Sequence, residues 1–583
     1  VVARAKDPRG AARRLASAFA DRRGRLAAVL ACVVLASLLG LVGPYLLGVA
    51  LDRFVARGDT DGLGRLAATM AGAYVLGAGV DALGAWWMAD LSQRALARLR
   101  ARLFAHLGTL PLSFFDRRPV GELMSRLTTD IDAIQQAIAQ NVTSLVASTL
   151  SMVGILVAMF VLDRWLALAS LVVVPLMIGF TRWVAVWTRR GFARLQKDLG
   201  ALNGVMEESI GGQKIVMAFS RTSSAAERFR EHNQRVYESG VAANSVALLL
   251  MPLTTVLGNL FVIVLVGLGG WLALEDLVSV GVIASFVSYG QAFVNPLRNI
   301  SNLYNTLQAA LAGAERVFEI LDEPSERDEA SAAPSPALRG HVRFDRVAFG
   351  YGPDRRVIHD MSLEARPGQR VALVGPTGAG KTTITNLLTR FYEIDEGAIT
   401  IDGIDLREIP KRALRRQIGL VLQDTFLFHA TVMENLRYGR LDASDDEVRE
   451  AARLAEAEPF ILQLPQGYDT VLSERAGNLS QGQRQLLAIA RTMLARPAIL
   501  VLDEATSSVD TRTEARIQRS LARLMEGRTS FVIAHRLSTI RDADLVLVID
   551  GGRIVERGTH DALMATKGVY HQLVTSQRKG HAI

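Results

Sequence analysis

Cysteine is almost missing from this chain of 583 residues: Cys32 stands alone, inside an apolar run. No intrachain disulfide can form, and cysteine usage leaves the redox compartment unread. An initiating methionine is missing as well, so the true start is open. Basic residues precede an apolar stretch near the N-terminus, as in a secretory leader. The run from Leu26 is too long for a leader, however, and no small-residue cleavage site stands out. It reads as a membrane span. Evenly spread basicity is also lacking. A net charge of +8 spread over a whole surface would point to nucleic acid. Many of the arginines here flank apolar segments instead, which points to membrane orientation, and no nucleic-acid partner is expected.

What is abundant is apolar sequence, 50% of the residues, more than a soluble chain of this length carries. Six segments approach or exceed the roughly 20 apolar residues that cross a bilayer: about 26–49, 66–87, 138–161, 166–186, 246–272 and 278–293. The last is interrupted by Gln291 and Asn295-Pro296, and Pro296 is expected to kink it. Connections after the first, third and fifth spans are short. Those after the second and fourth run to about 50 to 60 residues and are rich in arginine. Positive charge marks the cytoplasmic side, so the long connections and both termini are expected inside. Their polar, periodic sequence reads as spans continuing as helices into the cytoplasm. Ahead of the spans, residues 10–25 place Leu15 and Phe19 on one helical face among arginines. That suits a helix on the cytoplasmic membrane surface, or a solvated basic tail. Ionisable residues at membrane depth are functional candidates. Asp81 either lines a substrate cavity or makes a structural polar contact, while Arg182 and Arg298 reach toward inner headgroups.

Between Asp322 and Leu338 the composition turns acidic and rich in Pro, Ser and Ala, marking a linker. The expected division is a surface helix over 1–25, a transmembrane domain over 26–321, the linker over 322–338 and a second domain over 339–583. In the last, short apolar strands alternate with helical patterns, which predicts an α/β domain. Its strongest motif is Gly375-Pro376-Thr377-Gly378-Ala379-Gly380-Lys381-Thr382, followed by Thr383. An apolar run precedes it and a helical pattern follows, the context of a phosphate loop. Glycines let successive N–H groups face phosphate oxygens. Lys381 can neutralise the β- and γ-phosphates, and the Thr382 hydroxyl can ligate Mg²⁺.

Downstream, residues 498–504 form a buried strand ending in two carboxylates: Asp503 suits Mg²⁺, and Glu504 is placed to polarise an attacking water. Gln423 can bridge Mg²⁺ and water, or be merely solvated. His535 can touch the γ-phosphate, or satisfy a local hydrogen bond. Tyr351 can stack on adenine, or pack in its turn. A second helix start, Asn478-Leu479-Ser480-Gln481-Gly482-Gln483, offers another anion site. One nucleotide held by the first loop cannot use both, and a head-to-tail pair of chains, each Ser480 completing its partner's site, resolves this.

In this order the motifs resemble the ATP-binding cassette exporters of the lipid- and drug-exporter type, over nearly the whole chain. The resemblance implies a helical transmembrane domain of six spans followed by an α/β phosphate-loop domain, with ATP and Mg²⁺ as cofactors. Residues 375–382 resemble the Walker A motif, Gln423 the Q-loop and 479–483 the signature, through which Ser480, Gly482 and Gln483 would meet nucleotide. Residues 499–504 resemble Walker B, with Glu504 catalytic, and 507–510 the D-loop, bringing in Asp510. His535 resembles the switch histidine, and Tyr351 the adenine-stacking aromatic. Residues 114–132 and 207–219 resemble the loops that carry coupling helices. Two departures stand out: Gln481 replaces the usual Gly, and SERAGN precedes the signature, leaving Glu474 as the contact to a partner's coupling loop. Such a signature favours a heterodimer over a homodimer.

The resemblance further implies an integral protein of a bacterial cytoplasmic membrane, with the cassette domain inside. Its expected work is ATP-driven export or flipping of an amphipathic lipid or drug. Uptake of a lipophilic siderophore or fatty acid is the alternative; a reductase or binding domain at the N-terminus would favour it, and none is seen. An ATP-gated channel or regulator is the third reading.

Overall fold

The computed structural model describes residues 6–17, 22–326, 337–352, 355–473, 476–503, 510–534 and 540–578. Contacts divide the chain into two compact units, Val1–Thr109 with Arg118–Glu323, and Leu110–Arg117 with Pro324–Ile583.

The first unit is helical. Its elements are α1 (Pro8–Ser17), α2 (Arg23–Val49), α3 (Thr60–Leu107), α5 (Val120–Ser125), α6 (Ile131–Gln136), α7 (Thr143–Leu162), α8 (Arg164–Gly211), α9 (Gln213–Ala218), α10 (Thr222–Leu274) and α11 (Val280–Leu321); the short α4 (Leu112–Arg117) groups with the second unit. The tight connections are set by capping. Asp59 accepts from the Gly62 N–H at the start of α3, and Asp163 accepts from the N–H groups of Trp165 and Leu166 at the start of α8. Ser279 caps α11 and donates its hydroxyl to Asp52, 2.5 Å away, which joins two of the short turns. Helix α11 runs unbroken through Pro296.

Large apolar side chains face outward along the long helices, among them Val75 at 74%, Val161 at 81% and Leu248 at 74% exposed. A water-facing surface does not carry such a density of them. Among the described residues three helical stretches are long and apolar enough to cross a membrane: Arg23–Val55, Thr60–Leu107 and Val120–Leu162. Gly258–Leu274 and Val280–Phe293 are apolar but shorter. The fourth expected span falls within α8, where many side chains, Arg182 included, lie outside the described residues; so does the side chain of Arg298. Asp81 lies on an exposed face of α3.

Helix α1 turns Ala11 inward, stacks the Arg14 guanidinium over the Phe318 ring at 4.1 Å and pairs it with Asp322. The backbone N–H groups of Lys6 and Asp7 donate to Glu315. Buried Asp130 accepts from both Arg126 and Arg316 and so ties the π-helical stretch after α5 to α11. At the far end of α8, α9 leaves Ile215, Met217 and Phe219 at 61%, 65% and 72% exposed.

The second unit holds two sheets. An antiparallel one has the order β2-β1-β4-β5, from β1 (Val342–Gly352), β2 (Arg355–Ala365), β4 (Glu396–Ile401) and β5 (Ile404–Asp405). The larger has the order β10-β9-β3-β8-β7-β6, from β3 (Arg370–Val374), β6 (Ile418–Val421), β7 (Ile499–Asp503), β8 (Thr529–Ile533), β9 (Leu545–Asp550) and β10 (Arg553–Gly558). It is parallel except for β10. Helices α12 (Lys381–Leu388), α13 (Lys411–Gln417), α14 (Val432–Arg437), α15 (Asp445–Leu454), α16 (Glu458–Ile461), α17 (Gln481–Ala495), α18 (Thr511–Met525), α19 (His560–Thr566) and α20 (Val569–Arg578) complete it. Its parallel strands read as continuous apolar runs because both faces are covered. Ala372, Val374, Leu500, Leu502 and Val532 enter one core, while Val371, Leu373, Ile499, Val501, Phe531 and Ile533 enter the other.

Candidate nucleotide site

Ligands of open parallel sheets bind beyond the carboxyl ends of the strands. Three described strands carry the expected residues at that edge: β3 runs into the glycine loop, β6 is followed by Gln423, and β7 ends at Asp503. At the end of β8, His535 lies outside the described residues, as do Glu504 and Glu474.

The loop's shape follows from crowding. A Cβ at Gly375 would lie 2.0 Å from the Ile549 carbonyl oxygen, so only glycine fits. Gly380 adopts φ +105° at the start of α12, a conformation that L side chains avoid. Pro376 is half-buried, Ala379 is buried, and Thr377, Gly378 and Thr382 are exposed. Lys381 is buried to 7% exposure, and its Nζ donates to the carbonyls of Gly375 at 2.7 Å and Pro376 at 2.9 Å. Burial lowers the ammonium pKa, and the nearby Asp503 carboxylate opposes that shift. The Asp503 carboxylate is thus close enough to act on the Lys381 ammonium.

Tyr351, at the end of β1, joins the same region. Its hydroxyl donates to Thr383 Oγ1 at 3.2 Å and accepts from Asn386 Nδ2 at 3.2 Å, while its ring stays 46% exposed. Asn386 was not expected from the sequence. It lies three residues beyond Thr383 on α12, on the same helical face, but no sequence signal marks the tyrosine it meets. Gln423 is exposed just beyond β6. Thr382, Gln423 and Asp503 offer only oxygen donors toward a cation, and among the described residues no group of three or more His, Cys, Asp or Glu side chains is placed to hold a metal ion. Such a set fits a small hard cation that completes its shell with phosphate oxygens and water, not a cage built by protein alone.

At the second candidate anion site the structure holds a capping box. Ser480 Oγ accepts from the Gln483 N–H at 3.2 Å, and the Gln483 side chain accepts from the Ser480 N–H at 2.9 Å. Ser480 is exposed at the mouth of α17, Gly482 is buried behind it and Gln481 is half-buried. Asp510 caps α18 by accepting from the Thr513 N–H at 2.9 Å, and these bonds hold its carboxyl below the usual range.

A phosphate loop at the edge of a parallel sheet, joined to a unit of long lipophilic helices, defines a nucleotide-dependent membrane protein. Residues 26–297 match the ABC transporter transmembrane region family and residues 358–507 the ABC transporter family. Over 580 residues the chain is 43% identical to the uncharacterised ABC transporter ATP-binding protein YfiC of Bacillus subtilis (strain 168), spanning 99% of this chain and 95% of that one. A fatty acid ABC transporter ATP-binding/permease protein of Mycobacterium bovis is 41% identical, over 98% of this chain and 97% of its own length. An ATP-dependent lipid A-core flippase of Syntrophus aciditrophicus is 37% identical, over 95% of this chain and 92% of its own length. The solved structure of a bacterial Atm1-family ABC exporter with ATP bound superposes with a TM-score of 0.77 at 31% identity, over 95% of this chain and 98% of that one. The chain belongs to the ABC transporter family: a helical transmembrane domain followed by an ATP-using α/β domain.

Proposed function

We propose that this chain is one half of an ATP-driven exporter or flippase for an amphipathic lipid or drug, working in a bacterial cytoplasmic membrane with its cassette and termini inside. The observation that carries this reading is the pair of anion-ready elements in one cassette. The loop of Lys381 lies near the Asp503 carboxylate, while the exposed Ser480 stands apart from it at the mouth of α17, its hydroxyl oxygen closing the capping box. In a head-to-tail dimer each Ser480, with Gly482 and Gln483, completes the partner's site. A heterodimer is favoured over a homodimer because Gln481 alters the surface lent to the second nucleotide.

The domain limits follow the sequence reading: 1–25, 26–321, 322–338 and 339–583, with six spans in the second segment. Tyr351 stacks on the base, residues 375–383 hold the phosphates, and Asp510 meets nucleotide across the interface. Thr382, Gln423 and Asp503 would hold Mg²⁺, which supplies charge neutralisation to the β- and γ-phosphates. Glu504 polarises water, His535 contacts the γ-phosphate, and Gln423 orients the water. Because closure is a population shift, ATP must favour the closed cassettes over the open ones. Closure then moves the segments near Phe114 and Gly211, and the long helices turn the cavity outward.

Reconstituted with its partner in liposomes of inverted orientation, the complex should accumulate a fluorescent lipid or drug in the lumen only with ATP. Continuous ion conductance without such movement would defeat the reading. A second reading, fatty-acid transport, is favoured by the mycobacterial relative's name. Labelled fatty acid in the same assay decides it, and the sign of its movement separates export from uptake.

A further inference from the structure

Three rings meet where β1 ends. Phe349 and Tyr351 are 5.0 Å apart at 82°, and Tyr351 and Tyr392 are 4.9 Å apart at 89°. Phe349 also contacts Tyr392 at 5.6 Å. Phe349 is buried, while Tyr351 remains 46% exposed, which leaves ring surface for a planar base. The half-buried Tyr392 donates its hydroxyl to Asp116 on α4. Burial and the Asp116 carboxylate push that phenol above its ordinary value. The polar end of Tyr351 is held on α12 by Thr383 and Asn386. The ring is thus fixed at one end to the helix that follows the phosphate loop and flanked by a ring anchored on α4. Edge-to-face packing has a preferred geometry, so displacing the Tyr351 ring disfavours the present position of Tyr392.

We propose that Tyr392 is a positioning residue that passes base stacking on Tyr351 to α4 through its hydrogen bond with Asp116, so that α4 responds to the base of the nucleotide as well as to its phosphates. This rests on the reading of Tyr351 as the stacking ring. Phosphates act through the loop and α12, whereas the base acts through the rings. A nucleotide with both sets α4 differently from a triphosphate that lacks a base.

The test uses the full chain with its partner in liposomes, carrying Cys32→Ser and an environment-sensitive fluorophore on Phe115→Cys. Phe115 is next to Asp116 and 36% exposed. Mg²⁺-ATP is compared with Mg²⁺-tripolyphosphate, which has no base. ATP should shift the α4 signal well beyond tripolyphosphate. Tyr392→Phe keeps the ring and removes only the hydroxyl, and should bring the ATP response down to the tripolyphosphate level. It should also raise KM for ATP by about two- to fivefold, with a smaller fall in kcat. Asp116→Asn keeps an acceptor oxygen and should restore much of the response that Asp116→Ala loses. Equal responses to the two probes would overturn the relay. So would a full ATP response in Tyr392→Phe while Tyr351→Ala weakens ATP binding, and that outcome leaves the stacking role standing. Unchanged ATP binding in Tyr351→Ala would overturn both.

Discussion

Asp503 and Glu504 are adjacent in sequence, and the proposed function assigns them different work. Asp503 is the last residue of β7, paired in register with Ile533 of β8, and its charge acts on Lys381. Glu504 is the next residue in the sequence and the proposed base for the attacking water. Glu504→Gln should retain ATP binding while steady-state hydrolysis falls by about two orders of magnitude or more, the range general-base catalysis spans. Near-normal turnover would refute the assignment. The phosphate loop was legible because spacing alone forces it: glycine where Ile549 crowds the backbone, and lysine where it folds back over the loop. Asn386 was not, since an asparagine in a helix carries no mark of the tyrosine it meets from a strand 35 positions earlier.

Among elements, α17 and α13 carry distinct expectations. As a cap, Ser480 contributes about 1 kcal/mol to α17; in the proposed dimer it is also the partner's phosphate contact and is needed for turnover. Ser480→Ala should therefore lower thermal stability slightly and ATPase activity severely, whereas a purely structural role would give only the first. Glu326 receives Arg415 at 2.7 Å and Lys411 at 3.3 Å on α13. Burial pushes this carboxyl up, but the hydrogen bonds and charges of Arg415 and Lys411 outweigh it and the pKa falls below its ordinary value. A depressed carboxylate adds stability that is present above its unfolded pKa and lost as pH falls through the folded one. Glu326→Gln should lower the temperature of half-inactivation of ATP binding by about 2–4 °C at pH 7. The gap to the parent should shrink as pH falls through the ordinary carboxylate range and close below it; an equal gap at neutral and strongly acidic pH would show that charge is not the cause. Strand positions were readable from sequence to within a residue or two, as at β6 and β7, because apolar runs buried on both faces leave a plain pattern. That α4 groups with the cassette unit was not, because a hydrogen bond between Tyr392 and Asp116 crosses 276 positions without a periodic trace.

For the whole molecule, the decisive expectation concerns company. Under mild extraction the chain should co-purify with a second, different subunit whose own carboxylate after the Walker B strand is altered. A complex of this chain alone that hydrolyses ATP at full rate and moves cargo would count against the heterodimer. Architecture was readable here from two contrasting patterns, long lipophilic segments and then short alternating strands, while the number of spans rests on composition alone across α8. Helix α9 bears on this pairing. Its apolar knuckle of Ile215, Met217 and Phe219 is bare in a single chain, and the proposed pairing gives it a cover. A surplus copy made without its mate would display that knuckle to chaperones and proteases, which triage exposed apolar surface. Matched abundance of the two subunits would then need no control of synthesis, since the orphan marks itself for removal.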